Sequence, residues 1–354
     1  MTIISRYLSI QICMGLLVAT AVLLPLFSFL DLQEQLDDVG QGIYQTRDAF
    51  FYTLMLLPRR FIQLVPFIAL LGNVAALGRL ATNLELISLR AAGLSPAQIS
   101  LVPLSVGLVL LVAVMGLEQF VAPQLQQQAI ASRNAALGMS TELGENLGVW
   151  TRNKEQILRI GEMQHATRAM DVEILQFDSD GLLQKFIYAA YADIVSDDIW
   201  VLTDVLVKTI SPGQISSERF QSLNWEPFLE PAEIPTLTKP PESLSPTELF
   251  RHVQFLRNTG QETKGYALAL WRKAGGLFTT IAMVLISIPF VFGSVRSGLG
   301  NKLVFAALTG IGVYLLDQIV ANAGLLLNIN PALTAILPGL ALIGLANLWI
   351  RRLV

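Results

Sequence analysis

Charge is scarce in this sequence. Of 354 residues, 14% are charged and 53% apolar, whereas a soluble globular domain carries about 25% charged residues. That deficit places much of the chain in a bilayer. Neither sign is in surplus: 24 basic against 27 acidic residues leave a net charge of −3, which gives a nucleic-acid backbone nothing to grip and excludes nucleic acid as a partner. Cysteine is nearly absent. Cys13 is the only one, so no internal disulfide is possible, and its apolar surroundings make it a small hydrophobe. Histidine occurs twice, as His165 and His252. They lie far apart in the chain with no cysteine near them, which makes no recognisable zinc site.

Motifs of self-contained chemistry are missing as well. No G-x-x-x-x-G-K-[ST] run occurs, so the chain does not cradle ATP phosphates in the P-loop manner. Neither H-E-x-x-H nor G-x-S-x-G occurs, and no clustered acid, base or metal set supports an enzyme. Charge inside the apolar runs is sparse: Asp317 and Glu118 are the clear cases. A proton-coupled carrier carries more ionisable groups at mid-membrane.

Long apolar runs, by contrast, are plentiful. A helix of about 20 residues crosses a hydrocarbon core of roughly 30 Å, and six runs reach that length: Leu8–Leu30, Phe61–Leu80, Ile99–Phe120, Trp271–Phe292, Lys302–Ala321 and Pro331–Ile350. The first is too long and too lightly charged at its start for a cleaved signal peptide, so it counts as a mature span. The order is three spans, a polar stretch of about 150 residues, then three spans. One set of short loops holds Arg6, Arg79, Arg90, Arg296, Lys302, Arg351 and Arg352. The opposite set holds Arg47, Arg59 and Arg60 beside Asp31, Glu34, Asp37, Asp38 and Asp48. The basic set belongs in the cytoplasm, which puts both termini inside and the polar domain outside.

In that domain, residues 124–148 read as a helix extending the third span. Short alternating runs follow: 156–160, 172–177, 185–194 and 200–210. FDSDGLL (177–183) reads as a hairpin turn with Gly181 at positive φ. Strands at this spacing predict an all-β sandwich or jelly-roll-like sheet. The proline-rich stretch 230–246 reads as an extended linker, and Ser245-Pro246 opens a helix.

One short amphipathic segment, NLELISLRAAGLSP (83–96), lies between the second and third spans. Thr82 and Glu85 match a capping box, Gly93 suits a left-handed position after the last turn, and Ser95-Pro96 starts the next span. About ten residues of helix then lie along the membrane face, with Leu84, Ile87 and Ala91 on one side. Two readings fit: a capped turn that joins two spans, or a helix that docks into a partner's groove.

The run PFIALLGNVAALGRLATNLELISLRAAGLSPAQI (66–99) resembles the permease subunits of the lipopolysaccharide exporter, the LptF/LptG family. Ala122-Pro123, GVW (148–150), SLSPTELFRHVQFLRNTGQETKGYALALWRK (243–273), IPFVFGSVRSGLGNK (288–302) and YLLDQI (314–319) agree with it, and the last three resemble the LptG branch of that family. The resemblance covers nearly the whole chain. It implies an α-helical polytopic membrane protein with an inserted all-β domain, six transmembrane helices arranged 3+3 around a periplasmic β-jelly-roll. The parts are then 1–123 (spans one to three, with a cytoplasmic coupling helix at 83–92), 124–265 (the jelly-roll with flanking helices) and 266–354 (spans four to six).

The resemblance further implies an inner-membrane permease that draws lipopolysaccharide from the outer leaflet and hands it to a periplasmic bridge. Its partners would be a homologous LptF-like permease, a cytoplasmic LptB-like ATPase dimer, LptC-like and LptA-like jelly-roll proteins, and lipopolysaccharide itself. No cofactor is bound by this chain; ATP is used by the partner ATPase. Glu85 matches the acidic position of the coupling helix, with Leu84 and Ile87 beside it and Arg90 facing the ATPase or anionic headgroups. An anionic glycolipid calls for cations at headgroup level. Arg59 and Arg60 at the start of span two are candidates, with simple snorkelling to lipid as the alternative. Arg133 matches an arginine position of the family, with a surface salt bridge as its alternative.

Family members often carry lysines near the outer end of span one, where this chain has Asp37 and Asp38. Either Arg59 and Arg60 take over the phosphate contacts or divalent ions bridge acid to phosphate. Phe61, Leu64, Phe67, Leu71, Phe305 and Leu316 line the lipid cavity or pack against lipid or core. Asp317, with Tyr314 and Gln318, reads as an interhelical brace. A membrane scaffold that displays a β domain and recruits a cytoplasmic protein, without transport, is the competing function.

Overall fold

The computed structural model describes residues 3–138, 148–165, 167–196, 199–211, 213–229, 231–237, 239–292 and 298–351. Six helices are long and apolar enough to cross a membrane: α1 (Ile3–Leu36), α2 (Thr46–Thr82), α4 (Pro96–Gly116) with its continuation, α7 (Lys264–Phe292), α8 (Leu299–Leu326) and α9 (Pro331–Arg351). A π-helical turn, Leu117–Val121, joins α4 to α5 (Ala122–Leu137). The short α3 (Glu85–Ala91) follows α2, and α6 (Pro246–Asn258) precedes α7. Two compact units result. One holds residues 1–38, 49–129 and 264–354, and the other holds 39–48 and 130–263.

The first two helices are longer than the apolar runs predicted. α1 has 34 residues and α2 has 37, against the roughly 20 that a bilayer core requires. Hydropathy stops at the first cluster of charge, but helical hydrogen bonding does not. Arg59 and Arg60, just before the apolar run Phe61–Leu80, therefore lie within α2, whose helix begins earlier at Thr46. Hydroxyls within the spans return to carbonyls one turn back: Thr20 to Leu16 O at 2.8 Å, Thr53 to Ala49 O at 3.0 Å and Thr280 to Gly276 O at 2.8 Å. These three donors are thereby kept from facing hydrocarbon. Small residues let backbones approach. A Cβ at Gly15 of α1 would lie 2.3 Å from the Gly72 carbonyl oxygen of α2, and one at Gly275 would lie 2.2 Å from that of Ala335.

The inserted unit is all-β at its centre, as expected. Strands β1 (Val149–Arg152), β2 (Gln156–His165), β3 (Arg168–Phe177), β4 (Leu183–Ile194), β5 (Trp200–Ser211) and β6 (Gln214–Trp225) form one antiparallel sheet in sequential order. The described strands run as a meander, each hairpin leading to the next. The β3–β4 turn matches its expectation: Gly181 has φ +78°, and Asp178 Oδ1 accepts from the backbone N–H groups of Asp180 and Leu182, each at 2.9 Å. One face carries the core, including Leu158, Val172, Ile174, Ala189, Leu202 and the edge-to-face pair Trp200–Trp225, ring centroids 5.5 Å apart.

The proline-rich stretch 230–246 is not an extended linker. It folds into short helical turns, Pro231–Glu233, Ile234–Leu237 and Pro241–Ser243. Leu229, Ile234 and Leu237 join Phe255 of α6 on the sheet's apolar face; burying those side chains outweighs the preference of proline-rich chain for extension. Ser245 does open α6, with both arms of a capping box to Glu248 formed. α5 ends at Leu137, short of the expected 148, and residues 139–147 lie outside the described set.

Candidate functional site

The segment between α2 and α4 is built differently from the predicted capping box. Thr82 belongs to α2. Its hydroxyl donates to Gly78 O at 2.7 Å and Arg79 O at 3.2 Å, so it is spent inside the last turn. The chain reverses at Leu84, which takes the left-handed conformation at φ 62° and makes no side-chain cap. The helix that follows has 7 residues, not ten, and Leu84 precedes it. Gly93 does take its expected positive φ, +92°, with its N–H on Arg90 O at 3.0 Å. The capping box stands instead at Ser95 and Gln98, at the start of α4.

Glu85 is held by Tyr7 of α1, whose hydroxyl donates to it at 2.7 Å, and by Asn83 at 3.3 Å. The anchor of α3 is Leu86, 3% exposed, in a cluster with Leu8, Leu80 and Ile99. Leu84, Ile87 and Arg90 stand outward. Three of the four residues named for coupling thus form an exposed apolar and cationic rim, while the fourth, Glu85, is tied to Tyr7 of the bundle. Sequence reasoning passed over Leu86; its i−3 relation to Leu89, which packs against the same cluster, was the available signal.

A layer of ion pairs crosses the membrane-spanning unit. Glu118 accepts from Arg59 Nη1 at 3.2 Å and from Lys273 Nζ at 2.9 Å, both on Oε1. The π-helical turn that contains Glu118 places it among α2, α4 and α7. Arg60 forks onto Asp31 of α1 with Nε, at 2.7 Å, and Nη2. Arg272 donates from Nη2 to Asp317 at 3.2 Å and to Gln318 at 3.0 Å. The interhelical brace expected at Asp317 is therefore present, with an arginine as its partner. Adjacent Arg59 and Arg60 serve different acids. Arg272 and Lys273 were not singled out as site residues, though two neighbouring cations at the start of a span must find acids somewhere. Arg133 lies half-buried on α5, in the inserted unit.

The six cavity candidates do not share one surface. Leu64 is buried in the cluster of α1, α2 and α4, with Phe61 packed beside it. Leu71 packs against the cluster of Leu70, Met283 and Ile286. Phe67 meets Tyr314, ring centroids 6.1 Å apart. Phe305 and Leu316 point outward from α8 at 61% and 50% exposure. Arg296 lies outside the described residues.

Titratable groups in the inserted unit serve structure. Glu233 Oε2 lies 3.0 Å from His252 Nδ1, with the Thr236 hydroxyl donating to the same oxygen at 3.1 Å, all buried. Tyr188 donates to Asp171 at 2.6 Å; that bond first, then burial, pushes the phenol above its usual range. Among the described residues, no group of three or more His, Cys, Asp or Glu side chains could hold a metal ion.

The geometry is that of a membrane bundle with an exposed rim on a short helix, an ion-paired layer and an inserted β unit. Known proteins are similar to it in sequence over nearly its whole length. Lipopolysaccharide export system permease protein LptG of Haemophilus influenzae is 29% identical over 342 residues, 96% of each chain. The protein of the same name from Escherichia coli strain K12 is 28% identical over 351 residues, 98% of this chain and 97% of its own. Residues 6–352 match the family described as lipopolysaccharide export system permease LptF/LptG, so this multi-pass membrane protein belongs to the LptF/LptG family of lipopolysaccharide export permeases.

Proposed function

We propose that this chain is the permease subunit of an ABC-type exporter that extracts lipopolysaccharide from the outer leaflet of the inner membrane and passes it to a periplasmic bridge. A separate cytoplasmic ATPase supplies the work. The observation that carries this reading is a family match running from residue 6 to 352, through all six spans and the inserted β unit. The second permease is LptF-like, the ATPase dimer LptB-like, and the bridge is built from LptC-like and LptA-like proteins.

The rim of α3 supports the coupling role. Leu84, Ile87 and Arg90 offer an apolar and cationic surface on a helix whose other side is anchored by Leu86, the form a groove-docking helix takes. Glu85 acts through Tyr7, so that movement of α3 reaches α1. Arg60 and Arg133 serve phosphate groups of the lipid, and Phe61, Phe67, Leu71, Phe305 and Leu316 the acyl chains, while Arg59, paired with Glu118, and buried Leu64 hold the bundle instead.

The test is reconstitution with the ATPase and the second permease, with lipid extraction measured with and without ATP. ATP-dependent extraction is expected, and lipopolysaccharide should raise the ATPase rate. A scaffold that only recruits partners gives no lipid-dependent stimulation and no extraction, and that result would remove the proposal.

A further inference from the structure

The sheet of the inserted unit is creased along one row of residues. The pairs Ile160–Val172 and Glu162–Met170 set Gly161 beside Asp171. Val172–Ala189 and Met170–Tyr191 set Asp171 beside Ala190, and Ala189–Val205 and Tyr191–Thr203 set Ala190 beside Asp204. Asp171 and Asp204 are left-handed in this row, at φ 57° and 53°, a conformation that aspartate tolerates better than most side chains. Core residues recur at every second position of a strand. Across the row they are three apart: Ala169 and Val172, Ala189 and Ala192, Leu202 and Val205. Each of these strands thus turns over once. Tyr188 and Tyr191, also three apart, therefore share the face away from the core.

That face repeats one arrangement of aromatic ring, guanidinium and carboxylate. Arg159 lies over Trp150, 5.9 Å from the ring centroid, and donates to Glu173 at 2.8 Å. Arg168 lies over Tyr191 at 5.3 Å and donates to Asp193 at 2.8 Å. Tyr188 and Asp171 make a third set, joined by the bond from phenol to carboxylate. Among the described residues no cation completes it, and none pairs with Glu162 or Asp204. Here the crease opens a hollow of about 280 Å³, lined by Glu162, Met170, Asp171, Tyr188 and Tyr191, with Gly161 beside them. A Cβ at Gly161 would stand 2.6 Å from that of Asp171, so a side chain there would crowd the carboxylate.

We propose that this hollow receives an arginine side chain of a partner protein, which docks on the face of β2–β4 away from the core. The tyrosine rings attract a cation through their faces, and Glu162 and Asp171 accept charge-assisted bonds from it. The volume falls just below that of ordinary ligand sites, which begin at about 300 Å³. It holds a side chain and not a glycolipid, and the acids repel an anionic headgroup. Arginine is preferred to lysine because both completed sets on this face use a guanidinium, whose planar fork bonds carboxylate while stacking on a ring. The inference draws on the β unit alone and goes beyond the exporter proposal.

The full chain, carrying 3-fluorotyrosine, is placed in nanodiscs of zwitterionic phospholipid, and Tyr188→Phe and Tyr191→Phe assign the two fluorine signals. Four probes are titrated: N-acetyl-arginine amide, N-acetyl-lysine amide, ethanolamine and magnesium ion. The arginine amide is expected to shift both signals with a Kd of about 1–10 mM, and the lysine amide to bind at least about threefold more weakly. Asp171→Asn, which keeps a residue suited to the left-handed position, and Glu162→Gln should each weaken the arginine amide about three- to tenfold. In membranes of the producing cells, p-benzoylphenylalanine replacing Thr203, beside Tyr191 on β5, is then photolysed and the joined peptides are sequenced. The expected product is a peptide of one other protein that contains an arginine, and changing that arginine to glutamine should cut the yield at least about fivefold. Signals that ignore the arginine amide, or variants that bind it as the wild type does, overturn the site. An equal response to ethanolamine or magnesium overturns the guanidinium as its ligand. Cross-links to lipid alone, or a yield indifferent to the arginine, overturn the protein partner. The exporter proposal stands or falls separately, on extraction with and without ATP.

Discussion

Glu118 receives two cations on a single oxygen, and its neighbours Arg59 and Lys273 are nearly as covered as it is. Attraction offsets the desolvation of such a group only while all members are present. Glu118→Ala is expected to cost about 3–5 kcal/mol by leaving two covered cations face to face. Thermal unfolding of the full chain in detergent measures this, and adding Lys273→Ala should recover part of the loss; a double variant no more stable than the single would refute the account. Glu233 is governed by opposing effects. Burial raises its pKa, but the hydrogen bonds from His252 and Thr236, with the charges of His252 and Arg251, lower it further, and the balance is downward from 4.5. An acid depressed in the folded state stabilises fully above its ordinary value, and that contribution is lost as pH falls through the folded value. The near-UV signal of Trp200 and Trp225 should therefore begin to fall below about pH 4.5. Glu233→Gln should flatten that acid limb, and an unchanged limb would exclude Glu233 as its source.

At the level of elements, α3 separates anchoring from presentation. Leu86→Ala removes a buried side chain and should cost about 2–4 kcal/mol of stability. Ile87→Asp, on the exposed rim, should leave unfolding unchanged while lowering lipid-stimulated ATPase activity at least tenfold in the reconstituted complex; full activity in that variant would remove α3 from the coupling path. What sequence could show of these elements follows from how local their causes are. Six apolar runs, the Gly181 turn and the Ser245 and Ser95 caps rest on neighbours within a few residues, and each is where it was expected. α1 and α2 run on past their apolar runs through Asp31 and Arg60, which meet across 29 positions, a pairing that periodicity does not register. Thr82 offered a capping motif, yet its hydroxyl found a carbonyl four residues back. β6 escaped notice because it is exposed along nearly all its length and shows no alternation of apolar and polar residues. The helical turns of 231–243 depend on Leu229, Ile234 and Phe255 meeting on a sheet formed much earlier in the chain.

For the whole molecule, the candidate site was legible by residue type and not by partnership. The scarcity of intramembrane charge marked Glu118 and Asp317, but only the fold shows that Arg59, Lys273 and Arg272 answer them. Sidedness is the property of the whole chain that its short loops argue most directly. Arg6, Arg79, Arg90 and Arg351 lie at one set of helix ends, and the last turn of α1 with the stretch after it carries Glu34, Asp37 and Asp38. Cytoplasmic loops retain the Lys and Arg excess, and on that ground we propose that α3 faces the cytoplasm. In a Cys13→Ser background, a cysteine replacing the exposed Ser217 of β6 should react with a membrane-impermeant maleimide added to spheroplasts. A cysteine replacing Ser88 of α3 should react only after the membrane is opened. The reverse pattern would invert the molecule and place the Ile87 and Arg90 rim where no cytoplasmic ATPase could reach it. The same result would strip the proposed coupling of its physical basis, because α3 would then have no engine to receive.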